Sequence, residues 1–134
     1  MIVSNTTPLI YLAKIGKLDL LRILFKNIHI PKEVYNEIIV GKKDKYIDAL
    51  IIENEIKKKW IIVKDIKLNE NIENFSNEID YGEIAVISLA MNLKPKLILI
   101  DDLPARIIAE SLGFKVRGTL YVLLLAYRKN LINK

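Results

Sequence analysis

Short apolar runs alternate with longer amphipathic segments along the chain, which is the pattern of strands and helices in an α/β protein. The short runs are rich in Ile, Val and Leu, as buried strands are. They predict strands at Ile2–Val3, Ile28–Ile30, Trp60–Val63, Leu97–Ile100 and Phe114–Val116. Segments with apolar residues at helical spacing predict helices over Pro8–Ile15, Leu18–Phe25, Lys32–Val40, Asp44–Lys59, Ile79–Met91, Leu103–Leu112 and Thr119–Tyr127. Strands that alternate with helices predict a parallel sheet covered on both faces.

Capping and turn residues mark the ends of several predicted helices. Thr7 followed by Pro8 predicts the start of the first helix, as a hydroxyl N-cap before a proline. Glycines are predicted to close three helices, after which the chain turns. These glycines are Gly16, Gly41 and Gly113.

Two helices differ in how their apolar residues are distributed. The helix over Ile79–Met91 is apolar almost all round, which predicts that it is buried. The helix over Asp44–Lys59 is amphipathic, and one of its sides is predicted to face the core. The apolar residues of that side are Tyr46, Ile47, Leu50, Ile51 and Ile56. The polar stretch Lys64–Asn77 is predicted to be a loop.

Composition predicts one globular domain over residues 1–134, since 51% of the residues are hydrophobic. The absence of cysteine excludes disulfides and thiolate metal sites. The longest apolar run, Leu120–Tyr127, is too short to span a bilayer, and the first residues lack the features of a signal peptide. We therefore expect a cytoplasmic protein with no membrane association. The net charge of +5 suits a polyanionic partner such as nucleic acid, although it is equally a source of solubility.

Acidic residues fall where predicted strands end and helices begin. Asp101 and Asp102 follow the strand Leu97–Ile100 directly. One of them is enough to cap the next helix, and two adjacent carboxylates repel each other unless a cation or a shared proton relieves them. Asp80 and Glu83 are three residues apart in the first turn of a helix, a spacing that also makes a capping box. A buried Glu83 needs a partner for its carboxyl group.

The carboxyl ends of parallel strands meet at one edge of a sheet, where ligand sites gather. If the first and fourth strands are neighbours, Asn5 and Thr6 lie beside Asp101, Asp102 and the start of the helix that carries Asp80 and Glu83. An oxygen-rich cluster of this kind binds Mg²⁺ or Mn²⁺. The chemistry to expect there is metal-assisted hydrolysis of a phosphodiester.

Four motifs, in their order and spacing, resemble those of a PIN-domain protein. They are Ser4–Ile10, Pro31–Ile38, Asp80–Ala85 and Leu99–Asp102 with Ala105 and Arg106. More narrowly, the chain resembles a short prokaryotic PIN-like group of unknown function that is related to VapC-type toxins. The resemblance covers nearly the whole chain and implies a Rossmann-like three-layer α/β/α sandwich with a central parallel sheet.

The same resemblance implies an Mg²⁺- or Mn²⁺-dependent ribonuclease whose site is built on acidic residues. Carried over by position, the acids fall on Asn5, Glu37, Glu83 and Asp102, with Asp101 close by. The four carboxylates of this set are the predicted metal ligands, and Glu37 by itself reads as an ordinary surface acid.

Further residues are expected at the rim of this site. Thr6 or Thr7 matches the hydroxyl that follows the first acid, and Asp80 lies beside it. Arg106 follows Asp102 by one helical turn, where it is expected to hold that carboxylate, to contact phosphate, or to form only a surface ion pair.

Asn5 departs from the family pattern, because a PIN nuclease usually has Asp at this position. An amide keeps an oxygen ligand but has no negative charge and cannot act as a base, so metal affinity is expected to fall. The first interpretation is therefore a metal-dependent endoribonuclease, most simply the toxin of a toxin–antitoxin pair, with RNA as substrate and an antitoxin protein as partner. The second is a catalytically weak PIN-like module that binds RNA or protein.

Two further expectations complete the sequence analysis. A phospho-acceptor receiver domain also pairs aspartates on a parallel sheet, but here the pair comes late and no acid ends the first strand, so it ranks last. The helical segments Leu9–Phe25 and Thr119–Tyr127 are more apolar than a small sheet needs to cover it. We therefore expect a homodimer that pairs through helices.

Overall fold

The computed structural model describes residues 1–43 and 47–133. Its strands are β1 (Ile2–Ser4), β2 (Ile28–Pro31), β3 (Ile61–Lys64), β4 (Leu97–Leu99) and β5 (Val116–Arg117). All of the pairings between them are parallel, and the five-stranded sheet has the order β3-β2-β1-β4-β5. The parallel sheet predicted from the alternation of strands and helices is therefore confirmed.

The helices are α1 (Thr6–Lys14), α2 (Asp19–Phe25), α3 (Lys32–Lys43), α4 (Ile47–Lys57), α5 (Glu70–Glu73), α6 (Tyr81–Leu93), α7 (Leu103–Ser111) and α8 (Thr119–Arg128). Together with the sheet they form the three-layer α/β arrangement that the resemblance implied. In the part of the chain that is described, no helix is long and apolar enough to cross a membrane.

The centre of the core is the pair of β1 and β4 with the buried helix α6. Val3 of β1 pairs with His29 of β2 on one side and with Ile98 of β4 on the other. Residues 82–90 of α6 are all buried, as predicted for a helix that is apolar almost all round. A parallel strand in this position is covered on both faces, which is why β1 carries no exposed side chain.

The start of α1 differs from the prediction. Asn5, and not Thr7, is the N-cap residue, with an extended backbone at φ −81° and ψ 173°. Thr6 and Thr7 lie in the first turn, and Pro8 follows them within it. The proline is tolerated because the first four N–H groups of a helix have no partner within the helix. Asn, Thr and Ser all suit an N-cap, so residue type alone did not decide among neighbouring candidates.

The helix ends were predicted with mixed success. Gly16 and Gly113 follow α1 and α7 with φ of +70° and +93°, the left-handed conformation that ends helices. Gly41, in contrast, does not close α3, which continues to Lys43. The stretch predicted to be a loop contains the short helix α5, which Asn69 caps through its side chain.

The predicted apolar side of α4 was wrong. The buried residues of this helix are Ala49 and Ile52, whereas Ile47, Leu50 and Ile51 are exposed. Ile56 is partly buried against the core. The predicted start of this helix at Asp44 and the predicted core residue Tyr46 lie outside the described residues. Apolar residues surround much of α4, so the helical period did not single out one side.

Candidate functional site

The carboxyl ends of β1 and β4 lie side by side, as the sequence predicted. Ser4 pairs with Leu99 in the parallel register, and the backbone N–H of Asn5 donates to the Leu99 carbonyl oxygen at 2.9 Å. Asn5 thus lies beside the segment that leads into Asp101 and Asp102. It is only 5% exposed, and its side chain makes no capping hydrogen bond to α1. The Asn5 amide is therefore not used to start the helix that follows it.

Glu83 of α6 and Asp102 of α7 form a pair of carboxyl groups at this edge. Glu83 is buried, and the Asp102 carboxyl group lies close enough to raise its pKa. Burial is the main cause that raises the pKa of Glu83 to about 7; the charges of Asp80 and Asp102 also raise it, and an N–H donated by Asp80 lowers it. Two ionised carboxyl groups this close repel each other, and a bound cation relieves that repulsion.

Asp80 has the structural role that its spacing from Glu83 indicated. Its Oδ1 accepts the backbone N–H of Glu83 at 2.8 Å, and its own N–H donates to Glu83 Oε1 at 3.0 Å. This reciprocal arrangement is a capping box at the start of α6. It also fixes the Glu83 side chain, because the Asp80 N–H holds Oε1. The other carboxylate oxygen, Oε2, takes no part in the capping box.

Glu37 reaches the start of α6 from α3. Its Oε2 accepts the hydroxyl hydrogen of Thr6 at 2.9 Å, and its Oε1 fills the space that a Cβ atom on Gly82 would take. The residue as a whole is exposed, but its carboxyl end is shielded, and this shielding raises the pKa of Glu37. The Thr6 hydroxyl lowers that pKa, and the charge of Asp80 raises it. Of the two threonines proposed for the site, Thr6 is therefore the one that contacts an acid, while Thr7 lies one residue further into α1.

Gly82 is a site residue that the sequence analysis missed. Any side chain at this position would meet the Glu37 carboxylate, so glycine leaves the space in which that carboxylate lies. The available signal was a glycine in the first turn of an otherwise apolar helix, where it lowers helix propensity without an evident local reason.

Asp101 binds the start of α8. Its Oδ1 accepts the backbone N–H of Thr119 at 2.7 Å, and its Oδ2 accepts the Thr119 hydroxyl at 2.6 Å. Gly118 leaves room for this carboxylate, since a Cβ there would collide with Asp101 Oδ1. Both oxygens of Asp101 are thus engaged by Thr119, and its role as a metal ligand stays a prediction. Asp102 caps α7 by accepting the Ala105 N–H at 3.2 Å through Oδ2.

Arg106 does not hold the Asp102 carboxylate, although one helical turn separates the two residues. In the described residues no ion pair joins them. The guanidinium lies instead by Gly118, where Nη1 is 3.5 Å from the position of a Cβ, and its Nε is buried without a hydrogen-bond partner. The side chain therefore reaches the residue that follows β5, and holding the Asp102 carboxylate was one of three roles expected for it. Whether it contacts phosphate stays a prediction.

Comparison with known proteins identifies the family of the chain. The family model described as DUF3368, PIN domain, matches residues 1–134. The chain belongs to the PIN-domain family. Among curated proteins, none matches it at a significant level. PIN domains suggest a nuclease role with RNA as substrate, and the relation of this PIN domain to VapC-type toxins stays a prediction.

PIN domains generally use divalent metal ions, and the donor groups at this edge fit such an ion in part. Every donor is oxygen, and the repulsion between Glu83 and Asp102 is the kind that a bound cation relieves. Within residues 1–43 and 47–133, however, no three His, Asp or Glu side chains are already arranged around one point. A divalent ion at this edge would therefore meet a pair of carboxylates and would keep several of its waters, as Mg²⁺ does.

Proposed function

We propose that this PIN-domain protein is a divalent-metal-dependent endoribonuclease that hydrolyses RNA phosphodiester bonds at the carboxyl edge of its sheet. The observation that carries the proposal is the close pair of Glu83 and Asp102, in which burial and a neighbouring carboxylate raise the pKa of Glu83 to about 7. Such a pair is costly for the protein unless a ligand uses it, and Mg²⁺ or Mn²⁺ is the ligand that suits two carboxylates.

Each acid has a distinct proposed part. Glu83 and Asp102 hold the ion, while Glu37 contributes from the α3 side, where Thr6 orients its carboxylate. Asp101 adds to the negative charge of this edge while it holds the start of α8 through Thr119. A bound ion would supply an activated water and shield the leaving oxygen. Asp80 keeps Glu83 in place through the capping box.

Basic residues beside the acids support RNA as the substrate. Arg117 ends β5 at the same edge, where its carbonyl oxygen accepts the N–H of Ile100 at 2.9 Å. The Arg117 guanidinium lies 5.7 Å and the Lys115 ammonium 5.9 Å from the centre of the Tyr121 ring. With Arg106 nearby, these groups give the β5 side of the site a positive charge and an aromatic ring, the combination that binds single-stranded RNA.

A second candidate function is favoured by Asn5. This residue is buried at the end of the central strand, and it supplies an amide where PIN nucleases usually supply a carboxylate. With one negative charge fewer, the domain would bind RNA or a protein partner while cutting slowly or not at all. The two candidates share the fold and the binding surface, and they differ in whether metal causes cleavage.

Two partners belong to the proposal. If the protein is a toxin, an antitoxin protein would cover the acidic edge. A second copy of the chain is the other partner, because α8 presents an exposed apolar stripe at helical spacing. The stripe consists of Leu120, Leu124 and Tyr127.

Calorimetry and an RNA cleavage assay test the proposal together. We expect the wild type to bind Mn²⁺ and to cut single-stranded RNA only when Mn²⁺ or Mg²⁺ is present. Asp102→Ala and Glu83→Gln should each reduce metal affinity at least tenfold and abolish cleavage. Glu110→Gln is the matched control, because Glu110 is exposed on α7, the same helix that Asp102 caps.

The outcomes separate the two candidates. Metal and RNA binding without cleavage would support the weak binding module. Metal affinity that is the same in the wild type and in Asp102→Ala would remove the carboxylate pair from the site and overturn the metal-dependent nuclease.

A further inference from the structure

Lysines lead into the strands at the edge of the sheet opposite to the acidic site, which we call the amino edge. Four of the five strands begin one to three residues after a lysine, and all of these lysines are exposed. They are Lys26 before β2, Lys59 before β3, Lys94 and Lys96 before β4, and Lys115 before β5, and we call them the basic row. The proposed function makes use only of Lys115.

Backbone pairing places the members of the basic row side by side. The Lys96 N–H donates to the Met1 carbonyl oxygen at 3.0 Å, and the Lys115 carbonyl oxygen accepts an N–H of β4 at 2.9 Å. Lys26 and Lys59 each stand two residues before a strand, and the two strands pair in register from their first residues. Because neighbouring strands lie about 4.8 Å apart, the row crosses the whole sheet over about 20 Å.

No acidic side chain neutralises this charge. Within residues 1–43 and 47–133, no member of the basic row forms an ion pair. The two lysines just before Lys59 differ in this respect, since Lys57 pairs with Glu53 at 3.4 Å and Lys58 with Glu55 at 2.9 Å. The acids of α4 are thus already paired within their own helix end, and the row keeps its positive charge.

Three lysines of the row have a backbone conformation that lysine rarely adopts. The φ angle is +68° at Lys26, +69° at Lys59 and +51° at Lys94. Glycine usually fills such positions at helix ends, because a residue with a Cβ atom is strained there. The same chain uses Gly16 and Gly113 in this way after α1 and α7. Strain at three charged positions of one edge indicates that the charges have a function.

The helix dipole does not account for these charges. A basic residue in the last turn interacts favourably with the carbonyl groups at a helix end. Arg22 of α2 and Lys57 of α4 already occupy that turn, in the ordinary right-handed helical conformation. Lys26 and Lys59 follow the same two helices as second positive charges, and they carry the strain that a residue in the last turn avoids.

The chemistry of the basic row fits the phosphate backbone of a nucleic acid. Protein interfaces are depleted in lysine and need apolar surface at their centre, whereas phosphates require little more than positive charge. The row is also continuous with the proposed RNA surface. Lys115 and Arg117 lie at the two ends of β5, at 5.9 and 5.7 Å from the centre of the Tyr121 ring. Positive charge therefore extends along β5 from the amino edge to the acidic edge.

We propose that the amino edge is a second RNA-binding surface, on which the basic row holds the phosphate backbone of an RNA that reaches the acidic edge along β5. The inference rests on the proposed function for its choice of RNA. Helix α6 runs between the two edges and is about 20 Å long. The basic row is therefore remote from the acids, and it acts on the binding of RNA and not on hydrolysis.

A variant that removes charge without adding strain tests the proposal. In the triple variant Lys26→Gly, Lys59→Gly, Lys94→Gly, each lysine is replaced by the residue that its backbone conformation favours. Fluorescence anisotropy follows the binding of labelled single-stranded polyuridine of about 20 nucleotides, a length that exceeds a typical binding site. The measurements are made in EDTA, so the result does not depend on the metal, and over a series of KCl concentrations.

We expect the triple glycine variant to bind this RNA at least about tenfold more weakly than the wild type at low salt. The slope of log affinity against log salt should become shallower by about 2, because each phosphate contact to a single strand contributes about 0.7. Its melting temperature should equal or exceed that of the wild type, since glycine relieves the strain. Loss of binding is then not a result of unfolding.

Two further triple variants are controls. Arginine at positions 26, 59 and 94 keeps the charge and should bind RNA within about twofold of the wild type. Lys32→Gln, Lys64→Gln, Lys67→Gln removes the same charge around the carboxyl end of β3, and should change the affinity by less than about threefold.

The outcomes separate this inference from the proposed function. No RNA binding by the wild type in EDTA, wild-type affinity in the triple glycine variant, or an equal loss in the glutamine control would overturn the amino-edge surface, even if the protein cuts RNA. Tighter binding of polyglutamate than of polyuridine would overturn it in favour of an acidic protein partner. The expected losses in a protein that never cuts RNA would support the surface and count against the nuclease.

Discussion

At the scale of single residues, the carboxyl group of Glu83 has a large pKa shift. It combines burial with two close acidic neighbours, Asp80 and Asp102. The spacing of these acids in the sequence showed that Glu83 would lie near Asp80. It did not show how strongly burial would act, because that depends on the packing of α6 against β1, β2 and α3.

The stability of the metal-free protein should therefore depend on pH. The pKa of Glu83 is about 7 in the folded protein and 4.5 without the fold. The folded state thus binds more protons than the unfolded state between these values, so the stabilisation is complete below pH 4.5 and is lost as pH rises through 7. With EDTA, we expect the melting temperature to fall between about pH 5 and pH 8 and most of that fall to disappear in Glu83→Gln.

Added Mn²⁺ should counteract this pH dependence, since the ion competes with the proton and binds more tightly as pH rises. Each pKa unit corresponds to about 1.4 kcal/mol, so the free energy of unfolding changes with pH by a few kcal/mol at most. A wild-type protein whose melting temperature rises with pH in EDTA would contradict the assignment of the buried charge.

Asn5 is the second residue from which a prediction follows. Asn5→Asp adds a carboxylate beside Asp102 and Glu83, where it should raise metal affinity and, in an attenuated nuclease, RNA cleavage. It should also lower the melting temperature without metal and make it more sensitive to Mn²⁺, because an ion that binds only the folded state stabilises it by mass action. Melting and cleavage are followed across a Mn²⁺ series. Asn27→Asp is the matched control, since Asn27 is exposed and precedes β2 at the opposite edge of the sheet.

At the scale of elements, the sequence predicted which segments are helices and strands better than it predicted their contacts. Asp101 and Asp102 are adjacent acids with the same local pattern, yet Asp101 binds Thr119 and Asp102 meets Glu83. Which partner each aspartate meets depends on where α8 and α6 pack, and a local sequence pattern does not predict that packing. The prediction of the apolar side of α4 was wrong for a related reason, since contact with α1 and α3 decides which of several apolar residues is buried.

The approach of α3 to α6 yields a prediction about Gly82. In Gly82→Ala the new methyl group displaces the Glu37 carboxylate, which is the flexible end of a side chain. Alanine has the better helix propensity, by about 1 kcal/mol, which roughly offsets the lost hydrogen bond from Thr6. We therefore expect a melting temperature within about 4 °C of the wild type and cleavage reduced about tenfold.

A double-mutant cycle with Glu37→Gln checks this mechanism. Gly82→Ala should add little to the loss already caused by Glu37→Gln, because both act through the same carboxylate. Independent, additive losses would show that Gly82 acts in another way.

At the scale of the whole molecule, the fold class could be predicted because strands and helices alternate without interruption. The neighbourhood of β1 and β4 was also predicted and is confirmed by the register of Ser4 with Leu99. The pocket that Glu33 of α3 and Tyr81 of α6 line together could not be predicted. It exists only because two helices far apart in sequence leave a gap, and Glu33 alone reads as a solvated surface acid.

The proposed homodimer is a prediction at this scale. The exposed stripe of α8 adjoins α1 and α2, which expose Tyr11, Ile15 and Ile23. Light scattering at micromolar concentration should give the mass of two chains, and Leu124→Lys should give the mass of one. Ile107→Lys, an equally exposed apolar position on α7, should leave the dimer intact. A monomeric wild type would exclude this assembly.

The position of β1 in the middle of the sheet has a consequence for how the molecule is made. Val3 pairs with His29, but its other partner, Ile98, is synthesised only after most of the chain. Pairing over such a separation is slow, and until it occurs one side of the central strand has no neighbour. A nascent chain that stops before β4 holds Asn5, Glu37 and Glu83 but still lacks Asp102. The proposed nuclease would therefore stay inactive during translation and become active only with the completed fold.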